Sequence, residues 1–225
     1  MPNWGGIISS TNRDLQRCAK LLYVSLVLNL IIVGSEIWTL SKIRRKINIV
    51  KYYTFLQNLL ALVVSLIFSV YLAAAIFRGG IVPEFVRGLR YIVTCGLMAT
   101  MFIYVVLLSS NSKNLMTEED FVSGFSPQIA NFVLHYFCPL VSLLSFLLFE
   151  RQIVLTTSGW TGYVAIPSCL YWVIYLILSA AHLWEEPYDF TTSKGKRKNM
   201  LREVIAMISI PISFVLISYI IWQIK

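Results

Sequence analysis

Six apolar runs, each about as long as the hydrocarbon core of a bilayer is thick, divide this chain of 225 residues. A helix rises about 1.5 Å per residue, so roughly 20 apolar residues cross about 30 Å of lipid. The runs fall approximately at 19–41, 52–77, 89–109, 129–149, 163–183 and 201–222. Inside lipid every backbone N–H and C=O must be satisfied by the protein itself, and runs this long and continuous do so as helices. The expected fold is all-α: a polytopic membrane protein, one transmembrane domain over 1–225, built as a bundle of six transmembrane helices with both termini on the same side.

The remaining composition supports that class. Only 13% of the residues are charged and 57% are hydrophobic, whereas a water-soluble domain has about 25% charged residues. The net charge of +8 sits in short loops beside apolar runs, as topology signals and lipid-headgroup contacts do. No aromatic-interleaved basic patch suggests nucleic acid as a partner. Cys18, Cys95, Cys138 and Cys169 show no paired spacing, and the last three lie inside spans. They are expected to pack as small apolar residues, with no disulfide frame, metal site or cofactor. The first run starts near Ala19, spans a full bilayer and lacks a small-x-small site, so a cleaved signal is not expected.

Residues 1 to 18 are polar and are expected as a loop or short surface helix. Arg78-Gly79-Gly80 and Pro83 end the second span. Pro167 lies in the first turns of the fifth, and Pro211 interrupts the sixth. The first, third and fifth loops share one face, here the odd face. They hold slightly more Lys and Arg than the other side, which places them in the cytoplasm by a small margin. The expected location is the cell membrane.

Polar residues inside spans are the candidates for function. Lys51-Tyr52-Tyr53-Thr54-Phe55-Leu56-Gln57-Asn58-Leu59-Leu60 opens the second span, and Thr54, Asn58, Ala61, Ser65 and Ser69 share one helical face. Asn131-Phe132-Val133-Leu134-His135-Tyr136-Phe137-Cys138-Pro139 opens the fourth, with Asn131, His135, Cys138, Ser142 and Ser145 on one face. Connectivity puts Thr54, His135 (roughly 9 Å deep), Glu36 at the end of span one, and His182, Trp184, Glu185 and Glu186 at the end of span five near the odd face. The expected arrangement is a polar cavity open toward that face with apolar walls deeper down, suited to an amphipathic lipid.

Each residue also has an ordinary structural role. A membrane threonine commonly back-bonds to its own helix. Asn58 and Gln57 are typical interhelical glue, and Glu36, Glu185 and His182 would be at home among headgroups. His135 lies deeper, where an ionisable group is costly without a partner or a task. A hydroxyl becomes a nucleophile when a base takes its proton, so Thr54 and His135 form a candidate dyad. Asn58 or a backbone amide is the candidate oxyanion donor, and Glu36 the candidate acid to orient His135. Gln57, Asn131, His182, Trp184 and Glu185 complete the supporting or substrate-binding set.

The stretch around Thr54 resembles the threonine motif of the androgen-induced family of integral-membrane hydrolases, and the stretch around His135 resembles its histidine motif. Trp184 to Phe190 is similar to the W-x-Y-P-F that follows that family's fifth span. A bacterial six-span branch of unassigned function, with Y-F-T-x-x-S-N-L and L-L-H-Y-x-x-P signatures, matches closely too. The resemblance covers spans two to five. It implies hydrolysis of fatty acid esters of hydroxy fatty acids without a metal, with Thr54 as nucleophile and His135 as base. Here the fifth-span motif reads Trp-Glu-Glu-Pro-Tyr-Asp-Phe, whose extra acids bear on the ester cleaved more than on the dyad. The competing expectation is a non-enzymatic six-span transporter or lipid- or proton-binding receptor. Against it stands the odd-face clustering, since the other half of the bundle offers only scattered hydroxyls and Arg90.

Overall fold

The computed structural model describes residues 4–44, 52–78, 81–105, 121–150, 159–181 and 200–224, with side chains described from residue 20 onward except at 179 and 200–207. These segments form α1 (Trp4–Ser41), α2 (Tyr53–Arg78), α3 (Glu84–Ile103), α4 (Pro127–Phe149), α5 (Trp160–Tyr163 continued by Ile166–Ala180) and α6 (Met200–Ile224). No strand occurs among the described residues. One isolated bridge joins Ile43 to Phe121.

Among the described residues five stretches are long and apolar enough to cross a membrane: Lys20–Ser41, Tyr53–Arg78, Glu84–Ile103, Pro127–Phe149 and Trp160–Leu178. In α6 the part with described side chains, Ile208–Ile224, is apolar as well. The boundaries depart from expectation in physically simple ways. No proline lies between Trp4 and Ser41, so of the expected loop or short surface helix the N-terminal residues take the helix, from Trp4, and it runs on without a break into the first span. α3 starts at Glu84, directly after Pro83, and the carboxylate in its first turn suits the helix dipole. α4 starts at Pro127, whose missing N–H costs nothing there. α6 runs through Pro211 unbroken, so the expected interruption is absent.

α3 is the centre of the bundle. Of its apolar window 67% is buried, against 17–44% for the other four. It packs on α2, α4 and α6, while α1 closes against α2 and α4, and α5 lies outside against α6, α3 and α2. Tyr53, Tyr91, Phe146, Tyr171 and Phe214 form the main core, drawn from α2 to α6. The Tyr91 hydroxyl donates to the Ser218 carbonyl at 2.6 Å, and Ser218 Oγ donates to the Thr161 carbonyl at 2.9 Å, tying α3 to α6 and α6 to α5. Leu30, Leu66, Val70, Leu144, Ile177 and Leu216 are exposed. Such faces suit lipid and would be a liability in water.

Two glycines set the spacing around α3. A Cβ at Gly88 would lie 2.3 Å from the Trp160 ring, and one at Gly96 would lie 2.2 Å from Gln57 Nε2. An indole moves only as a block, whereas an amide end can rotate. Gly88→Ala is therefore expected to destabilise the protein by about 1–3 kcal/mol through overpacking, and Gly96→Ala by less. Thermal unfolding in detergent checks the order, and the reverse order would refute the packing account.

Candidate functional site

The stripe on α2 is buried throughout, at Thr54, Asn58, Ala61, Ser65 and Ser69. Phe55, one residue after Thr54, packs in one cluster with Ala130 of α4. The beginnings of α2 and α4 are therefore neighbours, as connectivity requires. Five residues beyond Ala130, His135 sits in the middle of a π-helical turn, Val133–Phe137. Pro139 accounts for that turn. It has no N–H to give the His135 carbonyl, and its ring crowds that carbonyl, so the helix widens. The Cys138 N–H bonds back to the Val133 carbonyl, five residues earlier.

The π turn faces α1, α2 and α3. His135 is only 4% exposed, and its Nδ1 has no hydrogen-bond partner among the described residues. Its ring stacks on Tyr104, with centroids 4.0 Å apart and planes 9° from parallel. Tyr104 follows the end of α3 and was not singled out in the sequence. It lies inside the expected third span, 89–109, where one aromatic residue among apolar neighbours carries no sign of a stacking partner.

Among the described residues no hydrogen bond joins Thr54 to His135, and Asn58, Gln57 and Glu36 bond to neither side chain. Asn58 Nδ2 donates to the Thr54 carbonyl at 2.7 Å. That ties the amide back along its own helix, away from an oxyanion role. Gln57 lies against Gly96 of α3, where its Oε1 accepts the Tyr53 hydroxyl at 3.0 Å. Glu36 is fully buried, but neither carboxyl oxygen makes a hydrogen bond among the described residues, so it does not orient His135. Asn131 is half-buried. His182, Trp184 and Glu185 lie outside the described residues.

The mouth also differs from expectation. Ile43 and Phe121, from the first and third loops, meet above Phe55 and Ala130, nearly fully buried at 3% and 1% exposure. The Val122 N–H donates to the Lys42 carbonyl at 2.8 Å and holds the two loops together. An apolar contact between two loops therefore lies at the face where an open polar mouth was expected, and residues 45–51, 106–120 and 182–199 of that face lie outside the described residues.

The other half of the bundle is more polar than its sequence suggested. Arg90 and Glu150 form a buried ion pair, Nη2 to Oε1 at 3.3 Å, with side chains 1% and 2% exposed. The same Oε1 accepts Ser145 Oγ at 2.6 Å, Ser25 Oγ at 3.1 Å and Asn29 Nδ2 at 3.2 Å. Arg90 Nη1 donates to Ser142 Oγ at 2.7 Å and Thr94 Oγ1 at 3.1 Å. Its guanidinium also lies 5.7 Å from the Phe68 ring centroid, a cation–π distance. A second π turn, Ser145–Phe149, builds this site. On an α-helix residues five apart point about 140° away from each other, but the wider turn brings Ser145 and Glu150 together.

Among the described residues no three His, Cys, Asp or Glu side chains gather as a metal-binding group. Cys95, Cys138 and Cys169 form no disulfide. The apolar helices and the sealed polar interior define an integral, multi-pass helical membrane protein. Compared with protein-family models, curated proteins and solved structures, the chain finds no match.

Proposed function

We propose that this protein is a membrane-embedded hydrolase of a lipid (fatty acyl) ester, with Thr54 as nucleophile and His135 as base. The observation that carries the reading is His135 itself, buried beside the start of α2 with a ring nitrogen that has no hydrogen-bond partner among the described residues. The likeness of the Thr54 and His135 stretches to the androgen-induced family supports the same pairing. In this reading Thr54 Oγ attacks the ester carbonyl while His135 takes its proton, then returns it to the departing alcohol. Water next attacks the acyl-threonine, giving its proton to His135, and the fatty acid leaves as Thr54 recovers its hydrogen. The contact of Ile43 with Phe121 helps keep bulk water from the first step. The finer topology belongs to the same proposal: six spans, both termini on one side, odd loops in the cytoplasm and the chain in the cell membrane.

The test is labelling of the detergent-purified protein with a fluorophosphonate and mapping of the adduct by peptide mass spectrometry. Adduct on Thr54, lost in His135→Ala, is the expected result. Labelling elsewhere, or labelling that survives His135→Ala, sinks the dyad.

One observation favours a second reading, a transporter or a lipid- or proton-binding receptor. The expected argument against a pathway was the lack of polar groups in the far half, and the Arg90–Glu150 network occupies that half. Under this reading binding or transport titrates with His135, and no acyl-threonine forms.

A further inference from the structure

In a Ser-His-Asp triad a buried carboxylate bonds to one ring N–H of the histidine, fixes the ring and stabilises the imidazolium that forms. His135 lacks that support. Its Nδ1 has no hydrogen-bond partner among the described residues, and neither oxygen of Glu36 makes a hydrogen bond there. Something other than a carboxylate has to set the angle of the ring at that atom.

The ring does have a face-to-face neighbour. Tyr104 lies parallel to it, with centroids 4.0 Å apart and planes 9° from parallel. At that separation the imidazole cannot turn about its Cβ–Cγ bond without driving an edge into the phenol ring. The phenol is held in turn. The Tyr104 N–H bonds to the Met101 and Thr100 carbonyls at the end of α3, and its side chain is buried. Tyr136 stands perpendicular to it, with centroids 5.8 Å and planes 90° apart. Two consecutive residues of the π turn, His135 and Tyr136, thus contact one ring supplied by α3.

The charge on these rings gives the stack a second role. The face of an aromatic ring is negative, so two neutral rings prefer to slide apart or to meet edge to face, at about 4.5–7 Å between centroids. A closer and nearly parallel stack suits a neutral imidazole less well than an imidazolium, because a cation is drawn to the ring face. An imidazolium is what forms when His135 takes the Thr54 proton. The O–H bond breaks, an N–H bond forms, and one positive charge passes to the ring.

We propose that Tyr104 is the positioning residue of the dyad. Its aromatic face stands in the place of the usual carboxylate, fixes the plane of His135 and stabilises the positive charge on it. This rests on the reading of His135 as base, and the experiment separates the two.

The test fills position 104 of the full chain with phenylalanine, then with phenylalanines carrying one, two and three ring fluorines. These keep the shape of the ring and progressively cancel its negative face. One readout is the rate of fluorophosphonate labelling at Thr54 in detergent. The other is the ratio of cationic to neutral His135, read by ring-nitrogen magnetic resonance at the pH where wild type shows both forms. The His135 signal is assigned by its loss in His135→Phe. Tyr104→Phe keeps the face and is expected within about twofold of wild type in both readouts. The fluorines should then lower both in order, by about tenfold across the series, as a weakened cation–π contact requires. Tyr104→Leu, checked for folding by thermal unfolding, should lower both at least as far. A ring that only fills space leaves the cation ratio flat along the fluorine series, and that outcome overturns the proposal. So does a Tyr104→Leu protein with the wild-type ratio. A ratio that follows the fluorines while Thr54 never labels supports the stack and sinks the hydrolase reading instead.

Discussion

Arg90→Met lowers the stability of the folded protein by about 3–5 kcal/mol, the usual cost of removing one partner from a buried ion pair. Arg90 is 1% exposed and bonds to Glu150, Ser142 and Thr94. Without it, Glu150 is left among the described residues as a charge held by neutral donors, Ser25, Asn29 and Ser145. The unpaired carboxylate, more than the lost attraction, makes the change severe. At about 2–4 °C per kcal/mol for a chain of this size, the melting temperature in detergent should fall by about 6–20 °C. The double variant Arg90→Gln/Glu150→Gln removes both charges and keeps donors and acceptors in place, so it should recover most of the loss. The sealed pair should also respond weakly to added salt. An Arg90→Met protein that melts with wild type, or a double variant no better than the single, would show that the pair does not hold the bundle.

That ion pair also marks where the sequence was hard to read. Span length and hydropathy expose helices directly, since lipid demands both, and the buried stripe from Thr54 to Ser69 followed from helical periodicity. Which face of α4 serves which site did not follow. Ser142 and Ser145 share a face with His135, and uniform α-helical spacing assigns all of them to one cavity. The π turns at Val133–Phe137 and Ser145–Phe149 break that register. They send the two serines to Arg90 and Glu150, at the opposite end of the bundle. Pro139 was the visible cause of the first turn, but nothing in the sequence announces the second. Glu150, just past the expected span 129–149, turns inward because that turn aims it there. The contact of Ile43 with Phe121 was equally hidden, since it joins loops far apart in the chain and its pairing is tertiary.

The largest effect on activity is expected at the dyad. Thr54→Ala removes the only proposed nucleophile and His135→Ala the only proposed base, and each should lower ester turnover by at least about 10³-fold. Two groups that act in one step are not additive, so the double variant should be no slower than the worse single variant. Thr54→Ser keeps the hydroxyl and should retain measurable turnover. Folding needs its own control, because His135 fills space under Tyr104 with a 4.0 Å stack. His135→Phe preserves a flat ring in that stack without a nitrogen. It should unfold near wild type and still lack activity, which a merely structural histidine would not explain. A His135→Phe protein that hydrolyses lipid esters at the wild-type rate would remove His135 from the chemistry. The buried Nδ1, without a partner among the described residues, would then belong with the binding or transport reading.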